Sequence, residues 1–354
     1  MATDDMNKAP ELEGGARRRA RAFVLALLLF TPSAFAWNDT GHLIAAMVAY
    51  DALPGSVRSW ALDLIRAHPR FREDFEARLP ASLADASAAE RARWYFGRAA
   101  VWPDYARRFE AEPEPAREAL VARYGHGGWH YVNLPLYLSP ADAERDSQPP
   151  PPLAWHAGLD PARLNIVQAL TMLTATWCEA SPSDRAVSLS WVLHLMADLH
   201  QPLHTAAMFG APAFERGDRG GNDVPVDGGS NLHALWDAAL GSERRFGRIE
   251  ASARADARAV ATRPDEVAVI DPPRDFALWA ADGRDLAARA AYTDAVRSAM
   301  EASRPNAVRA ANITSAYRRD MRADSQRQIV LAGLRTAALL ETLHALDRHS
   351  DCRR

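Results

Sequence analysis

The 354-residue chain holds two cysteines, Cys178 and Cys352, and a single lysine, Lys8. Two thiols cannot build an all-thiolate zinc site, so any metal here must draw on histidine and carboxylate. They suffice for one disulfide in an oxidising compartment, but sequence does not say whether they meet or remain separate thiols. Positive charge is almost all arginine, and 42 basic against 45 acidic side chains leave a formal charge of −3. No basic block marks a groove that tracks phosphates by charge alone. No adjacent His-Asp dipeptide occurs, which excludes an HD-type phosphohydrolase. The apolar run "AFVLALLLF" (22–30) is too short to span a bilayer.

That run sits inside a targeting pattern. Arg17, Arg18, Arg19 and Arg21 precede it, and "TPSAFA" (31–36) ends in the small-x-small sequence of a signal-peptidase site. The pattern predicts a signal peptide over 1–36, cleaved after Ala36, with Trp37 as the new first residue. An uncleaved membrane anchor is the alternative. The expected product is secreted or periplasmic and carries no anchor.

From Trp37 onward the spacing is helical. It predicts helices over 41–53, 56–67, 84–98, 161–178, 184–200, 244–262, 274–300 and 322–347, with Ser183-Asp184 capping the fifth. The segment 129–138 reads as extended chain. Two stretches read as loops: the proline run at 146–153, and the Gly/Asp/Asn-dense 215–231. No repeat or long linker divides the chain. The expectation is one all-α domain over 37–348, followed by a short tail at 349–354.

"WVLHLMADLHQPLH" (191–204) crowds three of the 11 histidines and an aspartate into an apolar helix. His194 and Asp198 are four apart and share a face, one turn from each other. Pro202 stops the helix and turns His204 back towards the same pocket. His200 is out of phase and reads as a loop residue or a partner of the ligands. Neutral imidazole and carboxylate are good zinc donors. A plain hydrogen-bonded pair inside a core explains His194 and Asp198 taken alone. "NLHALWD" (231–237) then repeats the spacing with His233 and Asp237, which favours a metal. Asp104 in "AVWPDYARR", His130 in "GWHYVNLP" and His42, five residues after Trp37, complete a candidate set. A free α-amino group at Trp37 has a pKa near 7.7–8.0, so with its own carbonyl oxygen it can chelate a metal. Ordinary core packing is the other reading of Trp37 and His42.

The whole set, in order, resembles the zinc-dependent single-strand nucleases of fungi, plants and bacteria, the S1/P1 family. The similarity runs from Trp37 through "WPD", "WHYVNLP", "HLMADLHQPLH", "GGN" and "NLHALWD", and again at 323–340. It implies a mostly helical fold of the phospholipase C/P1 nuclease type with three zinc ions in a cleft. Asp104, His130, His194 and Asp198 are expected to hold the first ion. The Trp37 amino nitrogen and carbonyl, His42 and the shared Asp198 would hold the second, and His204, His233 and Asp237 the third. Asp104, Asp198 and Arg107 are the expected catalytic residues, Arg107 by holding phosphate. A surface salt bridge is the alternative for Arg107.

The resemblance implies an endonuclease acting on single-stranded DNA and RNA, or on nucleotides, with no stable protein partner. In that reading bound zinc would lower the pKa of water to about 7, and the zinc-bound hydroxide would attack phosphorus to leave a 5′-phosphate. Action on 3′-nucleotides is left open. Tyr131 matches the family's base-stacking aromatic, usable only by a base outside a duplex. Asn133 stands where fungal relatives often have Asp, so base preference is not carried over. Asn222 in "GGN" can orient substrate, although turn geometry accounts for it as well. A zinc phospholipase C of the same fold is the nearest rival, but it usually has Glu where Asp237 stands. A non-catalytic zinc-binding protein is the rival from another class. Nine ligands for three ions leave positions open for water, unlike a closed structural site.

Overall fold

The computed structural model describes residues 37–261, 275–348 and Cys352. The predicted signal peptide, 1–36, and all of the tail except Cys352 lie outside the described residues. So do the last residue of the predicted helix 244–262 and the first of 274–300.

Asn38 starts the first helix by accepting the Gly41 N–H on its side chain at 3.2 Å. Helix α1 (Asp39–Ala52) then runs until Leu53 turns extended ahead of Pro54, and α2 (Gly55–Arg66) follows. Short 3-10 and π turns fill 71–83. Helix α3 (Ala88–Ala106) opens with a capping box, in which Ser87 and Glu90 satisfy each other's backbone N–H groups. It starts later than the predicted 84–98 and does not stop there. It passes through Pro103, which removes only one N–H close to the C-terminal end.

Helices α4 (Ala116–Tyr124) and α5 (Pro140–Arg145) carry too little apolar periodicity to be legible beforehand. The predicted 161–178 helix is shorter, α6 (Ile166–Ala175), and begins at an Asn165–Gln168 capping box. Helix α7 (Pro182–Asp198) is capped by Ser181 rather than by Ser183-Asp184, because Pro182 suits the first helical position. After α8 (Leu232–Asp237) and α9 (Phe246–Ala261), the predicted 274–300 helix is broken. It forms α10 (Phe276–Leu286), a π turn over 287–291, and α11 (Asp294–Glu301). Helix α12 (Ser315–Arg348) begins seven residues before the predicted 322 and closes the fold.

The extended segment is a short strand, β1 (Leu134–Tyr137). It pairs in parallel with β2 (Ala206–Phe209), in a register that sets Leu134 beside Ala206 and Tyr137 beside Phe209. Inside the predicted loop 215–231 a small antiparallel hairpin with a three-residue turn (227–229) joins β3 (Pro225–Val226) to β4 (Ser230–Asn231). The described residues are mostly helical, so the all-α expectation holds.

Helices α1, α3, α7 and α12 pack around one another and share one apolar core. The backbone of α12 comes so close to α1 at Gly333 that an added Cβ would lie 2.6 Å from Val48 and 2.8 Å from the Ala45 carbonyl. By length and composition α12 could cross a membrane, but its apolar side is spent on this core. Cys178 and Cys352 are joined in a disulfide, which settles the question the sequence left open. It fastens the chain beyond α12 to the segment between α6 and α7.

Candidate metal centre

The C-terminal half of α7 is buried on every side, so its polar groups need partners within the protein. His194 and Asp198 project from it as the four-residue spacing requires, 3.2 Å apart between Nε2 and Oδ2. The end of α3 brings Asp104 to the same place, with Oδ1 3.9 Å from His194 Nε2. A 3-10 turn (Gly127–His130) brings His130. Its Nδ1 lies 3.0 Å from Asp198 Oδ2, 3.0 Å from His194 Nε2 and 3.9 Å from Asp104 Oδ1. A tetrahedral ion with bonds of about 2.0–2.1 Å keeps its ligand atoms roughly 3.3 Å apart. The five separations, 3.0 to 3.9 Å, fit that frame.

His42 comes from the first turn of α1. Its ring stacks on His194 with centroids 3.8 Å apart, and its Nε2 is 3.4 Å from Asp198 Oδ1. The two oxygens of Asp198 thus face different histidines. Trp37 is fully buried, and its indole N–H donates to the Ala197 carbonyl at 3.0 Å, next to Asp198. The turn at Pro202–His204 carries His204 back, as Pro202 leads one to expect, and α8 carries His233 and Asp237. His204 Nε2 is 3.8 Å from Asp237 Oδ1, and His233 Nε2 is 3.5 Å from Asp237 Oδ2. Among the described residues three groups can hold an ion: Asp104, His130 and His194; His42, His194 and Asp198; and His204, His233 and Asp237. His194 belongs to two of them.

The second nitrogens of three imidazoles are already taken. Nδ1–H of His194 donates to the Ala100 carbonyl, that of His204 to the His130 carbonyl and that of His233 to the Gly220 carbonyl, each at 2.7 Å. Such bonds fix the tautomer and leave Nε2 with a lone pair. What remains without a hydrogen-bond partner is a set of buried donor atoms: both His42 nitrogens, Asp104 Oδ2, His130 Nε2, Asp198 Oδ1, His204 Nε2 and Asp237 Oδ2. Seven such atoms in one region are costly unless something binds them, although His42 and His130 can each give only one nitrogen to an ion.

Charge states point the same way. Burial pushes His42 down to about 3 and His130 to about 4, and it lowers His233, so these rings are neutral. Burial opposes ionisation of Asp198 and Asp104, but the surrounding histidines hold both carboxyls below the usual range. Against its own burial, His204 is pushed up to about 9 by Asp198 and Asp237. His42, His130 and His233 are thus neutral donors and Asp104 and Asp198 are ionised, a set suited to a divalent ion, while an ion at His204 would displace its second proton.

The remaining predicted residues fall around this centre. Arg107 ends α3, with Nη1 3.4 Å from Asp104 Oδ1 and the side chain about a quarter exposed, so it is a rim residue in contact with the site. Tyr131 follows His130 with its ring exposed, and Asn133 is half-buried two residues on. Asn222 donates from its side chain to the Arg219 carbonyl at 2.8 Å, which is the turn-forming alternative. His200 joins none of the three groups. Its Nδ1–H donates to the Met196 carbonyl, and its Nε2 accepts from Arg335.

Sequence reasoning missed Gln201. Fully buried, it donates from Nε2 to Asp237 Oδ1 at 2.7 Å and accepts the Leu203 N–H at 2.6 Å. Its place between His200 and Pro202, in the turn between ligands, was the available signal.

The S1/P1 nuclease family pattern matches residues 37–345 of this chain. Nuclease S1 of Aspergillus oryzae is 30% identical to it over 116 residues, which take in 28% of this chain and 37% of that protein. The matched part therefore spans little more than a third of the relative's length.

Proposed function

Since this chain belongs to the S1/P1 nuclease family, we propose that it is an exported zinc-dependent endonuclease. It hydrolyses phosphodiester bonds in single-stranded DNA and RNA and leaves 5′-phosphorylated products. The observation that carries the reading is the set of buried, partnerless donor atoms on Asp104, Asp198, Asp237 and the histidines around them. In this reading residues 1–36 are removed and 37–348 fold as one nuclease domain. The disulfide fits an oxidising compartment.

Asp104, His130, His194 and Asp198 would hold one ion. Asp198, His42 and the amino and carbonyl groups of Trp37 would hold a second, and His204, His233 and Asp237 a third. His194 has a single free nitrogen, so it can serve only one ion, and its spacing to His130 supports the first. Bound zinc would supply positive charge towards a phosphate, Lewis-acid polarisation of its oxygens, and acidification of water to a pKa of about 7.

The chain's own residues do the rest. Asp198 holds two histidine groups in register through its separate oxygens. Arg107, at the rim and anchored by Asp104, can turn its remaining N–H groups to a phosphate oxygen. The exposed ring of Tyr131 offers a stacking face beside His130, and a base reaches it only when it is unpaired. Asn133, two residues after Tyr131, would meet the base or sugar, whereas the Asn222 side chain is held in its turn by the Arg219 carbonyl. Nothing in the surface charge needs to attract the strand.

The test uses protein beginning at Trp37. Single-stranded DNA, RNA, duplex DNA, a 3′-mononucleotide and phosphatidylcholine are compared, with chelator and then with zinc restored. The expected result is zinc-reversible release of 5′-nucleotides from single strands. Lipid cleavage alone would move the chain to phospholipase chemistry, and bound zinc without any hydrolysis would make it a binding protein.

A further inference from the structure

Asp218 lies in the Gly-rich loop between half-buried Gly217 and exposed Arg219, yet it is completely buried. Its Oδ1 accepts the Met208 N–H at 2.9 Å, and its Oδ2 accepts the Tyr292 hydroxyl at 2.8 Å. Its own N–H donates to the Met208 carbonyl at 3.0 Å. The residue therefore ties the loop to β2 on one side and to the turn before α11 on the other. Burial pushes its carboxyl up to about 6, while the donors facing it, which include the Gly221 N–H, pull the other way. At neutral pH it is ionised and accepts only, which is what a surround of donors requires.

Two residues on, the loop meets a predicted metal ligand. Gly220 and Gly221 have φ of +63° and +83°, where side chains are strained. A Cβ on Gly220 would also lie 2.3 Å from the Leu203 carbonyl. This backbone shape sends the Gly220 carbonyl to His233 Nδ1 at 2.7 Å, and the His233 N–H donates to the Gly221 carbonyl at 3.3 Å. Both N–H groups of His233 are thus held by the loop, and its Nε2 is left facing Asp237.

We propose that Asp218 is a positioning residue for the third ion: anchored by Met208 and Tyr292, it sets the Gly220 carbonyl that fixes the His233 ring. The inference rests on reading His204, His233 and Asp237 as a metal group. It differs from a loop staple in one consequence. Loosening Asp218 must change how one ion of three is held, and not only how stable the protein is.

The experiment titrates metal-free protein beginning at Trp37 with cobalt(II), following heat and the visible spectrum. Wild type is compared with Asp218→Asn, Tyr292→Phe and Gly220→Ala. In Asp218→Asn, an amide N–H₂ or its lone oxygen must face donors that the carboxylate accepted. Two ions should bind as in wild type and the third about 10–100-fold more weakly, with an altered spectrum. Tyr292→Phe removes one hydrogen bond and no charge, so it should shift the third ion the same way by less. It decides the matter if Asp218→Asn does not fold. Three ions bound with unchanged affinity and spectrum in the folded variants, whatever the loss of stability, would overturn the proposal. A wild-type chain that takes up fewer than three ions would overturn the metal reading and this inference with it.

Discussion

At the scale of single residues, Asp198 uses both oxygens. One lies 3.0 Å from His130 Nδ1 and the other 3.4 Å from His42 Nε2. Asp198→Asn should therefore lose two ions together, as elemental analysis of the zinc-loaded protein would show. Loss of one ion only would mean the carboxylate is not shared. Gln201 acts on the third group from outside it, by occupying Asp237 Oδ1 and leaving Oδ2 free. Gln201→Leu should weaken the third ion about 10–100-fold in a calorimetric titration while the other two stay in place. The candidate donors that the structure brings together were legible in the sequence because their chemistry is unusual inside apolar helices. Gln201 and Asp218 were not, since an amide and a loop carboxylate have many ordinary uses and their partners lie 36 and 74 residues away.

At the scale of elements, the centre depends on where helices begin and end. The four-residue pairs on α7 and α8 could be placed from periodicity and Pro202 alone. The reach of α3 could not. Periodicity ends that helix at 98, yet Pro103 near a C-terminus costs one hydrogen bond, and the helix goes on to present Asp104. The pairing of β1 with β2 was illegible for a different reason, because parallel partners about 70 residues apart leave no local signal. Helix α3 gives a clean control. Ser87 caps its far end, 17 residues and roughly 25 Å from Asp104. Ser87→Ala should cost about 1 kcal/mol in chemical denaturation and leave the ion count unchanged. The start of α1 gives the opposite case. Residues added before Trp37 turn its amine into an amide, so such a protein should bind one ion fewer and lose most activity. Full activity with the extension intact would remove Trp37 from the site.

At the scale of the molecule, one core formed by α1, α3, α7 and α12 supports candidate donors on turns and helices from His42 to Asp237. The disulfide closes the fold from Cys178 to Cys352, a sequence separation of 174. Replacing both cysteines by serine should lower stability by about 2–4 kcal/mol, read from denaturant unfolding, without touching the ions. Cleavage is proposed to depend on metal held by the buried His/Asp groups. Zinc content and single-strand cleavage should be followed in the same sample as zinc is returned to chelated protein starting at Trp37. Three ions per chain are expected, with cleavage to 5′-phosphates appearing only as the groups fill. Cleavage that survives complete removal of metal, or three bound ions with no cleavage, would contradict it.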